Sequence, residues 1–265
     1  MSARLRGIAK ETVQIVSAGG YRGVSFGAAV EAARAGTRMV GPEAVACTPV
    51  PVTGTVIEVT GESSLEAARR LADQPVVVLN FASARNPGGG FLNGAQAQEE
   101  ALCRASALYA CLLEAPDFYA YHRAHRDPFY TDRIIHSPAV PVFRDDRGRL
   151  LDDPYHAGFL TAAAPNAGVI RRTLPERVGE VPGALAVRAE RVLETAVASG
   201  YRRVVLGAWG CGVFQNDPVQ VAGVFRELLD GRFSGVFETV VFGVLDRTPG
   251  AVVRGAFSEA FASSA

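Results

Sequence analysis

Two adjacent carboxylates, Glu99 and Glu100, preceded by Gln98, follow a run of three glycines, Gly88-Gly89-Gly90, with seven residues between Gly90 and Gln98. Glycines leave the backbone open to a ligand and reach positive φ at little steric cost. An anion cradle beside two groups able to move a proton is what a site needs to hold a phosphorylated sugar and cleave it. A second stretch, Gly207-Ala208-Trp209-Gly210-Cys211-Gly212-Val213-Phe214, follows a later apolar run. It can present several backbone N–H groups to a diphosphate without a lysine or a metal. Taken alone it would be no more than a tight strand-to-helix turn. Asn80 and Asn86, on either side of the first turn, are amides able to touch a ligand, although asparagines also serve turns for their own sake. Trp209, the only tryptophan, either lines the pocket or packs under its loop.

Consecutive residues on a helix point roughly 100° apart, so Glu99 and Glu100 cannot both face one atom squarely. They are therefore not the opposed acid and nucleophile of an ordinary glycosidase. One should transfer the proton while the other fixes the sugar. A helix N-terminus favours an ionised carboxylate, whereas a general acid must hold a proton near neutral pH. A neighbouring glutamate and a bound diphosphate push the other way by like-charge repulsion. The acid is thus expected to gain its proton mainly with substrate in place.

The elements that position these residues follow from pattern. An apolar, β-branched run over 76–80 reads as a buried strand leading into the first motif, and 98–113 reads as the helix leading out. A second buried strand over 204–206 ends in the second glycine loop. Ligands of open α/β sheets sit beyond the carboxyl ends of strands, which places both loops on one crevice. Further strands are expected over 54–60, 134–135, 139–143, 159–164 and 237–245. Helices are expected over 65–72, capped by Ser63 or Ser64, and over 184–199, closed by Gly200. Another is opened by Asp217-Pro218, with Asn216 also read as a cap, and a closing helix spans 251–261. The stretches 144–149 and 171–182 read as loops, and 118–132 as an aromatic, polar segment. Strands alternating with helices give an α/β fold, a three-layer α/β/α sandwich. Residues 1–53, with helices over 3–17 and 26–35, read as an N-terminal helical extension packed on a core domain of 54–265.

Composition narrows the classes. The chain has 265 residues, 48% hydrophobic and 20% charged, with 27 basic and 27 acidic side chains. A protein that held nucleic acid by bulk electrostatics would be basic, so any phosphate-rich ligand must be gripped at a focused site. The four cysteines show no C-x-x-C spacing, hence no metal or redox motif. His122 and His125 lie three apart but lack a third ligand and read as a surface pair. There is no signal-peptide core and no apolar run of membrane-spanning length, so a cytoplasmic location is the expectation.

The glycine triplet, the spacer and Gln98-Glu99-Glu100 together resemble the signature of the poly(ADP-ribose) glycohydrolases in their compact bacterial form. The stretch from Gly207 to Phe214 resembles the diphosphate loop of the macrodomain fold that this family contains. The resemblance covers 54 to the C-terminus and implies a macrodomain-like mixed sheet. It implies hydrolysis of ribose–ribose bonds in poly(ADP-ribose), of exo type, releasing ADP-ribose. Glu100 would be the acid that protonates the leaving ribose oxygen and then the base for water. Glu99, assisted by Gln98, would hold ribose hydroxyls, and Phe214 would pack against the reacting ribose. Asn80, Asn86, Gly88, Gly89, Gly90, Gly207, Trp209, Gly210, Cys211, Gly212 and Val213 would line the substrate. No metal or cofactor is implied, nor a nucleic-acid or membrane partner. A monomer acting in DNA repair is. The substrate-gripping tyrosine loop of the large eukaryotic members cannot be identified, and no residue is assigned to the adenine, with Phe257 and Phe261 better read as core. A non-catalytic ADP-ribose-binding macrodomain would share the loops but not need the glutamates. A hydrolase of single protein-linked ADP-ribose groups is a further alternative. A nicotinamide-dependent oxidoreductase ranks last, because Gly207, Gly210 and Gly212 do not fit G-x-G-x-x-G.

Overall fold

The computed structural model describes residues 2–262. The chain begins with α1 (Ala3–Ala18), whose N-cap is Ser2 and whose C-cap is the left-handed Gly19. A small hairpin, β1 (Gly20–Tyr21) and β2 (Val24–Ser25), leads to α2 (Gly27–Gly36), β3 (Arg38–Val40) and β4 (Val56–Thr60). Then come α3 (Ser64–Leu71), β5 (Val76–Phe81), α4 (Gln98–Ala105), α5 (Leu108–Leu112) and α6 (Pro116–Ala124). Two long strands, β6 (Ile134–Arg144) and β7 (Leu150–Ala162), precede α7 (Ala167–Thr173), α8 (Val181–Ala198) and β8 (Arg203–Leu206). The chain closes with α9 (Pro218–Asp230), β9 (Thr239–Gly243) and α10 (Val252–Ala260).

Seven strands form one mixed sheet in the order β3-β6-β7-β5-β8-β9-β4. The β3/β6 and β6/β7 pairs are antiparallel, and the other neighbours are parallel. Strand β5 lies between β7 and β8, so both its edges are paired, and helices cover both its faces. Val76 and Val78 enter the apolar layer shared with α1, α2, α4 and α5, while Val77 and Leu79 enter the layer under α8, α9 and α10. Alternate residues of a strand point to opposite faces, which makes this continuous apolar run the divider of a three-layer sandwich.

Several local signals act as the sequence suggests. Ser63 caps α3 and receives a reciprocal bond from its N3 residue: Glu66 N–H donates to Ser63 Oγ at 3.1 Å, and Ser63 N–H to Glu66 Oε2 at 2.9 Å. This capping box satisfies two otherwise orphaned donors. Asp217 caps α9 by accepting from Val219 N–H at 2.9 Å, with Pro218 in the first turn.

The structure departs from pattern elsewhere. The helix expected over 98–113 is two helices, broken at Ser106. Its backbone is extended, its hydroxyl donates to Leu102 O at 2.7 Å, and it bridges to Val142 of β6. A serine hydroxyl competes for helix carbonyls, and here the neighbouring strand wins the backbone. Strand β7 starts well before residue 159, because β6 pairs with Leu150 through Arg144 and, past a register shift, with Tyr155, His156 and Ala157. The loop expected over 171–182 contains the end of α7 and the start of α8, and the aromatic, polar segment holds most of α6. Residues 1–53, read as an extension, supply β3, the edge strand of the main sheet, through its pairing with β6.

Candidate active site

Strands β5 and β8 are neighbours in the sheet, so the turns that leave them, after Phe81 and Leu206, stand side by side. Between them lies a crevice lined by Ser83, Asn86, Gly89, Glu99, Glu100, Gly212 and Phe214.

The first turn wraps the carboxylates. Glu99 is 2% exposed. Its Oε2 accepts from Ser83 N–H at 2.7 Å and its Oε1 from Asn80 Nδ2 at 3.3 Å, with a further backbone bond from Gly88. Glu100 is 8% exposed. Its Oε1 accepts from Gly90 N–H at 2.8 Å and its Oε2 from Ala97 N–H at 2.9 Å. Ala97, at the N-cap of α4, has no side-chain acceptor, so Glu100 satisfies that helix end from its third position. The first glycine stretch, which also lines the crevice through Gly89 and Gly90, therefore spends part of its donor set on the protein. Amides of Gly88 and Gly90 turn inward and hold the protein's own carboxylates. Gly88 and Gly89 take φ of 65° and 58°. A Cβ on Gly89 would lie 2.5 Å from Glu100 Oε1 and 3.1 Å from Glu99 Oε2, so no larger residue fits.

Burial pushes the Glu99 carboxyl up to about 8, against the lowering effect of Ser83 N–H and the Asn80 amide, and the Glu100 charge adds to the rise. Burial thus favours the protonated form of Glu99 while three N–H donors favour the carboxylate, a balance that reasoning from helix ends did not anticipate.

The amides of two residues expected to touch the ligand are bonded within the protein. Asn80 is wholly buried behind Glu99, its Nδ2 shared between that carboxylate and Thr161 Oγ1 at 3.0 Å. Gln98 ties three elements together: its Nε2 donates to Ser64 Oγ at 3.1 Å and Leu79 O at 2.8 Å, and its Oε1 accepts from Phe81 N–H at 2.9 Å. Both side chains position α4 and its carboxylates. Asn86 remains at the exposed rim of the crevice.

The second turn is built the opposite way. Among the described residues, the N–H groups of Gly212, Val213 and Phe214 have no internal acceptor, and these residues line the crevice. The loop is held from beneath. Trp209 is buried, and its indole Nε1 donates to Ala162 O at 3.0 Å. Asn216 is no helix cap; its Nδ2 donates to Pro165 O at 2.8 Å and Gly210 O at 3.2 Å. Gly207 and Gly210 are packed tightly: Cβ atoms there would meet Gly243 O at 2.7 Å and Asn216 Nδ2 at 2.5 Å. A Cβ on Gly212 would meet nothing within 4 Å. Burial raises the Cys211 thiol to about 12, which leaves no thiolate for chemistry. The ring of Phe214 meets that of Tyr130 at 5.8 Å between centroids.

The crevice continues past Phe81, Gln98, Ala208 and Gly212 into a second section lined by Arg104, Gly243, Leu245, Asp246 and Arg247. Sequence reasoning missed it, since it draws on the end of β9 and on α4 with no motif to announce it. Phe257 and Phe261 are not among its lining residues; both pack on Phe242, Phe257 tilted at 5.5 Å and Phe261 stacked at 4.4 Å. His122 is not a surface residue. It is buried, with Nδ1 bonded to Phe118 O at 2.8 Å and Nε2 to Thr131 Oγ1 at 2.9 Å, and burial lowers it to about 4. Among the described residues, no group of three His, Cys, Asp or Glu side chains is arranged to hold a metal.

A mixed α/β sheet with paired carboxylates facing a loop of open amides is the framework of a macrodomain-like glycosidase. The family model of the microbial-type PARG catalytic domain matches residues 9–145. The poly(ADP-ribose) glycohydrolase of Thermomonospora curvata is 49% identical over 98% of this chain and 100% of its own, with a TM-score of 0.92. Its structure with the inhibitor ADP-HPD matches at a TM-score of 0.91, with 49% identity over 98% of this chain and 100% of that one. The Deinococcus radiodurans enzyme in complex with ADP-ribose is 46% identical over 89% of this chain and 98% of its own, with a TM-score of 0.82. No curated protein matches. The chain belongs to the microbial-type poly(ADP-ribose) glycohydrolases.

Proposed function

We propose that this glycohydrolase binds the terminal ADP-ribose unit of poly(ADP-ribose) along the crevice and releases it by exo-type hydrolysis of the ribose–ribose bond. The observation that carries this reading is the facing of two carboxylates, Glu99 and Glu100, by the open amides of Gly212, Val213 and Phe214 across one crevice. The amides suit a diphosphate. The carboxylates then lie beside its terminal ribose, and the section lined by Arg247 and Leu245 takes the adenosine end.

Glu100 is the general acid. It is the more exposed of the pair and keeps an edge on the crevice. It protonates the departing ribose oxygen as the anomeric carbon–oxygen bond breaks. The diphosphate stabilises the oxocarbenium-like charge that develops. Glu100, now ionised, accepts a proton from the water that attacks the anomeric carbon, and the enzyme returns to its starting state. Glu99 holds ribose hydroxyls, with its proton able to serve as a hydrogen-bond donor. The negative diphosphate beside the pair favours the protonated acid, so the basic limb of kcat should lie at higher pH than that of kcat/KM. Phe214 packs against the reacting ribose. A monomeric, cytoplasmic enzyme of DNA repair belongs to the same reading and rests on family membership alone.

The test is incubation with long poly(ADP-ribose). Monomeric ADP-ribose should accumulate from the earliest time points, without intermediate oligomers. Early appearance of free oligomers would replace exo with internal cleavage. Release of ADP-ribose from singly modified protein alone would move the enzyme to a different substrate class.

A further inference from the structure

We propose that the face of α6 beside the crevice mouth, formed by Arg85, Arg123, Arg133, Tyr121 and His125, binds the next unit of the polymer, the one whose ribose oxygen departs. This rests on the reading above. The bond broken beside Glu100 joins the held unit to its neighbour, and the adenosine end of the held unit occupies the opposite section of the crevice. The departing unit must therefore leave past the carboxylates, on the side of Asn86 and Phe214.

Both of those residues connect to α6. From Phe214 the path runs to Tyr130 at 5.8 Å, from Tyr130 to His122 at 5.8 Å, and from His122 to Tyr121 at 5.8 Å, all between ring centroids. From Asn86 it runs to the adjacent Arg85, whose carbonyl accepts from Arg123 Nη1 at 2.8 Å. The two paths close a ring from one lip of the crevice to the other, with α6 at its outer edge.

The chemistry of that edge suits a nucleoside diphosphate. Tyr121 and His125 stack with ring centroids 3.9 Å apart and planes 16° apart, and the Arg133 guanidinium lies 3.7 Å over the Tyr121 ring. Tyr121 is thus sandwiched between the two, and the stack offers a base the outer faces of the exposed His125 ring and the Arg133 guanidinium. Arg123 is exposed. Arg85 is half-buried, and its Nε is buried without a hydrogen-bond partner among the described residues. Guanidinium forks match phosphate oxygens. The acidic groups nearby are already engaged or remote: Asp132 pairs with Arg188 at 3.0 Å, Asp127 with Arg177 at 3.5 Å, and Asp117 lies in the opposite, first turn of α6. The local field is positive: burial chiefly lowers His122, and Arg188, Arg133 and Arg85 each add to that lowering. A chain with no net charge has concentrated cations where a departing diphosphate would pass.

The test uses the full chain with Arg123→Glu and, separately, Tyr121→Ala. Each is assayed for kcat/KM on long poly(ADP-ribose) at low and high salt and for the dissociation constant of free ADP-ribose. Both variants should lose roughly three- to tenfold in kcat/KM on polymer while binding ADP-ribose as wild type does. Arg123→Glu should also show a shallower salt dependence, as phosphate contacts are salt-sensitive. Unchanged kcat/KM on polymer overturns the proposal. So does a loss matched by equal weakening of ADP-ribose, which would place the effect in the crevice itself. Wild-type release of ADP-ribose from the same polymer separately tests the reading on which this rests.

Discussion

The two glycine turns look alike as sequence and do opposite work. The turn after β5 points its amides at Glu99 and Glu100 and fills its own anion site with side chains. The turn after β8 braces itself from beneath through Trp209 and Asn216 and leaves three consecutive amides open. In the proposed function one turn presents the acid and the other receives the diphosphate. Glycine content alone does not distinguish them. What distinguishes them is whether a carboxylate of the same chain lies within reach of the amides.

The sharpest way to break this contrast is a methyl group in each turn. Gly89→Ala places a Cβ 2.5 Å from Glu100 Oε1, at a φ of 58° that alanine resists. Steady-state turnover of polymer should fall by about a hundredfold or more, since small displacements of a catalytic group are expensive. Wild-type turnover in that variant would mean the first turn does not fix the pair.

Next in size is the proton on Glu99. Its carboxyl is raised from 4.5 to about 8, so the folded state binds a proton that the unfolded state has released. That contribution is complete below pH 4.5 and is lost as pH rises toward 8. Stability should decline across that interval with a slope of up to about 1.4 kcal/mol per pH unit. Denaturant melts of Glu99→Gln should flatten this decline, and an unchanged slope would show that Glu99 is not the group responsible.

Gly212→Ala probes the other turn. A Cβ there meets nothing within 4 Å, so the melting temperature should hold. Calorimetry should show ADP-ribose binding weakened by about tenfold, roughly 1.4 kcal/mol, because the methyl crowds a ligand rather than the protein. Smaller still is Trp209→Phe. Losing the indole bond to Ala162 O should lower stability by about 1 kcal/mol, read as a drop in melting temperature with turnover largely kept.

The legible parts of the molecule are those written over a few residues. Ser63 and Glu66 announce the start of α3, Asp217-Pro218 announces α9, and the apolar run before Asn80 announces the central strand. The glutamate pair and both turns were visible by spacing and resemblance. The illegible parts depend on partners far along the chain. Nothing near Ser106 reveals that it will bridge to Val142. Gln98 and Asn80 look like ligand amides until the fold brings Leu79 and Thr161 against them. His122 reads as solvated because its helix is polar, yet Thr131 and Phe118 enclose it. The inward aim of the first turn was hidden for the same reason: spacing gives the neighbours of Glu100 but not the direction of their amides.

The central claim is that Glu100 moves the proton while the second turn holds the ligand. Its most direct test is Glu100→Gln, measured for polymer turnover and for ADP-ribose affinity on one preparation. Turnover should drop by about a hundredfold to ten-thousandfold, the usual contribution of a general acid, with affinity close to wild type. Polymer turnover near the wild-type rate would contradict the assignment.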